Sequence, residues 1–234
     1  MSTLYDAGTG IALIVRPPRG AGVVPRIYDE LFSGVDLLPT LLGLLGIDEP
    51  TDVDGCSHAQ NLLASPREMT PVREHLFSAK TYHDSFDRVR AIRTKEYSYI
   101  ENYEHRPPRM VAWDVQDGSS VKVFAPELVA VQPACEFYDL ADDPNETRNL
   151  LAGQTTDEVH AVSRRLAGAL RGWRQNVDDV VPPEQVESQM SEFYAGLYWQ
   201  IHNAGAGSGR TRPLRKGPVG QRRTSALQPA PHTY

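Results

Sequence analysis

The sequence predicts a mixed α/β (α+β) chain, and three observations carry that prediction. An unbroken apolar run at residues 11–15 is followed by apolar positions at helical spacing over residues 35–45. Four later stretches, "EHLFSA", "DRVRAIRT", "YSYIENY" and "CEFYDL", hold the β-branched and aromatic residues typical of strands. Residues 156–175 then place Val159, Val162, Leu166, Leu170 and Trp173 on one stripe of a long helix.

Taken in order, residues 9–16 read as a buried strand ending at Arg16-Pro17-Pro18. Ser33 or Gly34 caps the helix over 35–45, with Asp36 in its first turn and Pro39 early enough to be tolerated. That helix is apolar almost all round, so it is expected to be buried on more than one side. Gly46 ends it, and "DEPTDVDG" is a loop. In the following strand region, "TKE" is a tight hairpin connection. A short helix is expected near 184–202. Beyond it, the Gly- and Pro-rich residues 204–234 offer little to bury and are expected to be disordered. The first strand and helix find no visible partners later in the chain.

Composition narrows the function. The chain has 234 residues, 40% of them hydrophobic, enough for a core. No apolar run reaches the roughly 18 residues of a membrane span. No basic stretch followed by an apolar segment marks a signal peptide, so the chain as given is expected to be cytoplasmic. The net charge of −6 conceals an asymmetry: every basic residue beyond 203 is unmatched by any acid, leaving a strongly acidic body. Such a body argues against a nucleic-acid binder. Cys56 and Cys135 sit in no metal or redox spacing.

Two motifs attract chemistry. "DLADDPNE" gathers carboxylates but lacks the alternation and central glycine of a calcium loop, so a turn is the simpler reading. "KTYHDSFDRVRAIRT" brings Tyr82, His83, Asp84, Asp87, Arg88, Arg90 and Arg93 into a loop and strand. His beside Asp suits general acid–base work, and Arg suits an anionic substrate. The alternative is that Arg90 and Arg93 pair with carboxylates and His83 caps the turn. Neither a phosphate loop, a nucleophile elbow nor a His-Glu-x-x-His helix is present.

Four stretches together resemble the C-terminal part of the sulfatase family, within the alkaline-phosphatase-like superfamily. They are "TLYDAGTGIALIVRPP", "DELFSGVDLLPTLLGLLGIDEPTDVDGCS", "RAIRTKEYSYIENYEHRP" and "EFYDLADDPNETRNLL". They run in order from Ser2 to about Asp179. The "TYH…R-x-x-RT" segment and a Trp-bearing helix running into "VDDVVPP" resemble most the branch of N-sulfoglucosamine sulfohydrolases. The resemblance implies hydrolysis of sulfate esters or sulfamates by a formylglycine made from Cys or Ser in Cys/Ser-x-Pro-x-Arg, beside a bound calcium ion. Neither cysteine stands in that motif: Cys56 is followed by "SHAQ" and Cys135 by "EFYD". The family's metal-binding carboxylates belong upstream of this stretch, and Met1 stands where a Lys or Arg is usual.

The resemblance therefore implies the end of the large α/β sulfatase domain over residues 1–70 and the small antiparallel-sheet-and-helix subdomain over 71–180. A short helical extension over 181–203 and a basic tail over 204–234 follow. It implies no catalytic residue, metal ligand or cofactor in this chain, with calcium expected in the complete enzyme. His83 and Arg90, with Tyr82 and Asp87, are the candidate substrate contacts, and His58 serves as a loop control. A missing N-terminal sulfatase half is the expected partner, and a sulfated carbohydrate or aryl sulfate the substrate of the whole. A non-enzymatic remnant or interaction module, and one half of a split sulfatase completed by a second chain, are the rival readings.

Overall fold

The four β-rich stretches form one antiparallel sheet in the computed structural model, which describes residues 3–18, 20–23, 25–82, 86–103 and 132–179. All of these lie in one unit, Met1–Phe193. Strands β1 (Leu76–Tyr82), β2 (Phe86–Arg93), β3 (Tyr97–Asn102) and β4 (Cys135–Asp139) are hydrogen-bonded in sequence order. Ile92 stands opposite Tyr99, which stands opposite Phe137, so one register row presents three large apolar side chains to one face. Between β2 and β3 the "TKE" connection is tight. The Thr94 hydroxyl accepts from the amides of Glu96 (3.1 Å) and Tyr97 (2.9 Å), which fixes the turn locally.

One α-helix covers that face. Thr156 caps it, its hydroxyl accepting from Val159 N at 3.3 Å, and Asp157 and Glu158 occupy the first turn, where the helix dipole favours them. Leu166 and Leu170 are fully buried against Ile92, Tyr99 and Phe137. Trp173 stacks on Phe77 with ring centroids 5.1 Å apart. The opposite face packs Val89, Ala91, Ile100, Tyr138 and Leu140 against Leu4 and Tyr5, which lead into helix α1 (Asp6–Thr9). The long helix itself runs Asp157–Asn176 and is α4 in chain order, after α2 and α3 below.

Ahead of the sheet, a 3-10 turn (Gly34–Asp36) opens helix α2 (Leu37–Leu45), and α3 spans Ala59–Leu63. Ser33 and Asp36 form a capping box, and Gly46 closes α2 with φ 67°, a left-handed conformation suited to glycine. Gly55 is required by close approach: a β-carbon there would meet the Val35 carbonyl oxygen at 2.0 Å.

Two expectations are corrected. Residues 11–15 form no strand; they run irregularly with every side chain exposed, Ile14 by 91%. A strand needs a neighbour for its N–H and C=O groups, and none lies beside this segment among the described residues. Helix α2 is not buried on several sides either. Leu37, Leu38, Leu41 and Leu45 are exposed, because α2 packs through Pro39 and Thr40 toward α3 and leaves its leucine stripe uncovered. The helix expected near 184–202, the 204–234 tail and residues 83–85 lie outside the described residues. Among the described residues no helix is long and apolar enough to cross a membrane.

Candidate functional site

The candidate substrate residues converge on the β1–β2 hairpin because the two strands pair antiparallel up to Tyr82 and Phe86. Tyr82 ends β1, and His83 lies outside the described residues. Asp87 lies on β2, buried, and pairs with Lys80 of β1 across the hairpin. The structure thus brings Asp87 and Tyr82 to one end of the sheet, with Lys80 as a member that the sequence did not single out.

Arg90 sits deeper, 1% exposed, and all its donors are engaged. Nε donates to Asp179 Oδ2 at 2.9 Å and Nη2 to Asp179 Oδ1 at 2.5 Å, the two parallel bonds of a guanidinium–carboxylate fork. Nη1 donates to the Lys80 and Val89 carbonyls (2.6 and 2.9 Å), and Nη2 also to the Thr81 hydroxyl at 2.9 Å. A guanidinium has five N–H groups, so none is left to grip a sulfate. The ion-pair alternative fits this geometry, and the carboxylate is Asp179, just beyond α4. Arg174 Nε donates to the same carboxylate at 2.7 Å. Arg90 first, and Arg174 after it, hold the Asp179 carboxyl down at about 2 against the opposing effect of burial. Arg93 pairs with Asp6 at 2.9 Å, tying β2 to α1.

Tyr103 extends the brace. Its hydroxyl donates to Glu101 and accepts from Arg174, while the Arg174 and Arg88 guanidiniums each lie 4.6 Å from its ring centroid. Burial and the neighbouring Glu101 push its phenol above the ordinary value, so it stays a neutral donor. On the other face, Glu136 is buried within β4 and accepts from Tyr5 (2.7 Å), Asn102 (2.6 Å) and Tyr138. The only sequence signal for it was an acid set between Cys135 and Phe137 within β4.

A second buried polar node joins α2, α3 and the approach to β1. Asp36 is fully buried and accepts from Arg73 Nε at 2.7 Å, from Arg73 Nη2, and from the amides of Ser33 and Cys56 at 2.8 Å each. His58 is not a solvent-facing control. It is 1% exposed, with Nδ1 2.7 Å from the Tyr28 hydroxyl, Nε2 3.4 Å from Asp36 Oδ2, and Phe32 packed on its ring. The "GCSHAQ" loop looked polar in sequence, but it folds back under α2, where His58 N donates to the Thr40 hydroxyl.

Burial lowers the His58 pKa, outweighing the attraction of Asp36. The folded value then lies below the unfolded value of 6.5, so the unfolded chain takes up the proton first and stability falls as pH drops below it. We expect the Tm to decline between about pH 7.5 and pH 5.5, and less steeply in His58→Asn. Equal slopes in thermal melts of the two proteins would show that His58 titrates alike folded and unfolded.

Among the described residues no group of three or more His, Cys, Asp or Glu is placed to hold a metal ion. "DLADDPNE" folds as a turn: Asp143 accepts from the Thr147 and Arg148 amides at 2.8 Å each. Within the described residues that turn uses the Asp143 carboxylate as a backbone cap.

No protein-family model matches the chain. It is 31% identical to human arylsulfatase A over 173 residues, covering 69% of this chain and 31% of that protein. It is 23% identical to an ulvan-active sulfatase of Formosa agariphila over 192 residues, covering 79% and 36%. A solved 2-O GAG sulfatase aligns at 21% identity with a TM-score of 0.43, over 62% of this chain and 25% of its own. The homologues of this chain are sulfatases, and the chain spans about a third of the length of these two curated relatives.

Proposed function

We propose that this chain is the C-terminal portion of a sulfatase, of the N-sulfoglucosamine sulfohydrolase-like branch, and that it hydrolyses nothing by itself. The observation that supports the reading is the similarity to arylsulfatase A over most of this chain but only 31% of that protein. The sequence supplies no Cys/Ser-x-Pro-x-Arg motif from which a formylglycine nucleophile is made. Acyl- and sulfuryl-type transfer depends on a nucleophile and on charges aimed at the oxygens of the transferring group, usually the largest contribution to catalysis. A sulfated carbohydrate or an aryl sulfate is then the substrate of the complete enzyme, with calcium as its metal. In that enzyme Tyr82, His83 and Asp87 are the candidate substrate contacts, and Arg90, bonded to Asp179, braces β2. The test is the DNA upstream of the Met1 codon. An open frame, or a neighbouring frame, carrying Cys/Ser-x-Pro-x-Arg supports the reading. The absence of any sulfatase-like frame there, with activity in the isolated chain, would replace it.

The apolar stripe of α2, exposed among the described residues, is expected both of a split enzyme completed by a second chain and of an interaction module. Sulfate release on mixing with a sulfatase-like partner chain would favour the split enzyme, and binding without turnover the module.

A further inference from the structure

Many basic side chains of this molecule are neutralised within the fold. Arg73, Lys80, Arg90, Arg93, Lys95 and Arg174 each pair with a carboxylate. The outer face of α4 departs from that pattern. Arg164, Arg165 and Arg171 are exposed, with no ion-pair or hydrogen-bond partner among the described residues. No Asp or Glu stands three or four positions from any of them, where helical neighbours meet. Three unpaired arginines on one helix stand out in a chain whose body is strongly acidic.

Gly168 is the centre of the arrangement. It lies four positions after Arg164, three after Arg165 and three before Arg171, so it is the helical neighbour of all three. Leu166 and Leu170 turn the opposite side of α4 to the sheet, and Gly168 is exposed on the outer side. One turn further on stands Gly172. A β-carbon at either glycine would meet nothing within 4 Å, so no packing contact requires them. Glycine inside a helix is destabilising relative to alanine, yet two stand here without a packing use. They leave a bare strip of backbone, flanked by arginines, that an anionic group can approach closely.

We propose, resting on the sulfatase-portion reading, that this face of α4 binds a sulfated polysaccharide, one sulfate group seated over Gly168 among Arg164, Arg165 and Arg171. All three are arginines, whose planar fork offers a sulfate two parallel hydrogen bonds and is less strongly hydrated than an ammonium. Arg164 and Arg171 lie about 10 Å apart along the helix axis, more than one sugar ring, so a chain with repeated sulfates engages both. A membrane surface would call for large apolar residues on this face, and Ala161, Gly168 and Gly172 are none. A long nucleic acid would run on over the acidic surroundings and be repelled by them. None of the three arginines bonds to the β1–β2 hairpin, so the face holds polymer apart from the candidate substrate contacts.

The experiment titrates the full chain with a short heparin oligosaccharide and reads affinity by calorimetry. Residues 204–234 are basic as well, so each measurement is repeated with the Arg and Lys residues of that stretch changed to Gln. Arg164→Gln with Arg165→Gln and Arg171→Gln is expected to weaken binding about tenfold in both backgrounds, the sum of three exposed charge pairs. Gly168→Leu is expected to raise the Tm, because leucine favours a helix, and yet to weaken binding severalfold by filling the seat. A merely structural role would not move the two readouts in opposite directions. Arg148→Gln, on an exposed arginine outside α4, is expected to change neither. Chemically desulfated heparin is expected to bind far more weakly. No binding, binding indifferent to the three arginines, or equal binding of desulfated heparin would overturn the proposal. So would tighter binding of single-stranded DNA or of phosphatidylserine vesicles. The sulfatase-portion reading is tested apart, by the upstream frame and by turnover, neither of which depends on these arginines.

Discussion

Asp179→Ala is expected to destabilise the fold by about 3–5 kcal/mol, the range for removing one partner of a buried ion pair. The loss is large because Arg90 stays behind, 1% exposed, with two of its donors deprived of their acceptor. Arg174 loses the same acceptor, and with it the tie from the last turn of α4 to the chain after it. Urea unfolding is the measurement. The double variant Arg90→Met with Asp179→Leu should lose less than Asp179→Ala alone, because it leaves no charge unpaired in the interior. A double variant worse than the single would mean that the pair contributes more than the burial of its atoms. The pH dependence has a definite sign. The folded carboxyl, at about 2, lies below its ordinary 3.8. Its contribution is complete above that ordinary value and disappears as pH falls through about 2, so wild type and Asp179→Asn should converge in strong acid.

The second large effect belongs to Asp36→Ala, expected to cost about 3 kcal/mol, nearer the lower end because Arg73 keeps some access to water. One carboxylate closes the capping box with Ser33, fixes the Cys56 amide and receives Arg73, so three segments lose their common acceptor together. Burial acts to raise its pKa, but Arg73 and the two amides more than reverse that and leave it lowered. The stabilisation is therefore present at neutral pH and is lost in acid. Hydrogen exchange should show the damage first in α2 and α3, with β1–β4 and α4 retaining their protection. Uniform loss of protection would show that Asp36 supports the sheet as well.

The antiparallel sheet was legible because its information is local. "DRVRAIRT" and "YSYIENY" hold β-branched and aromatic residues, the Thr94 turn is written in three residues, and Leu166 and Leu170 keep helical spacing. The segment 11–15 was misread because an apolar run states only that its side chains avoid water, and the partner that would make it a strand is not among the described residues. Arg90 was visible as a candidate, but its carboxylate stands 89 positions away, and sequence separation says nothing of such a meeting. His58 and Glu136 hide for a related reason. A polar residue in a polar loop or an apolar strand looks the same whether it faces water or a buried set of donors.

The most direct test of the account is turnover by residues 1–234 alone, assayed on an aryl sulfate and on N-sulfoglucosamine with and without calcium. The account predicts no release of sulfate above a buffer blank in either condition. Turnover that a chelator abolishes would contradict it, and would require a nucleophile and a metal site within this chain.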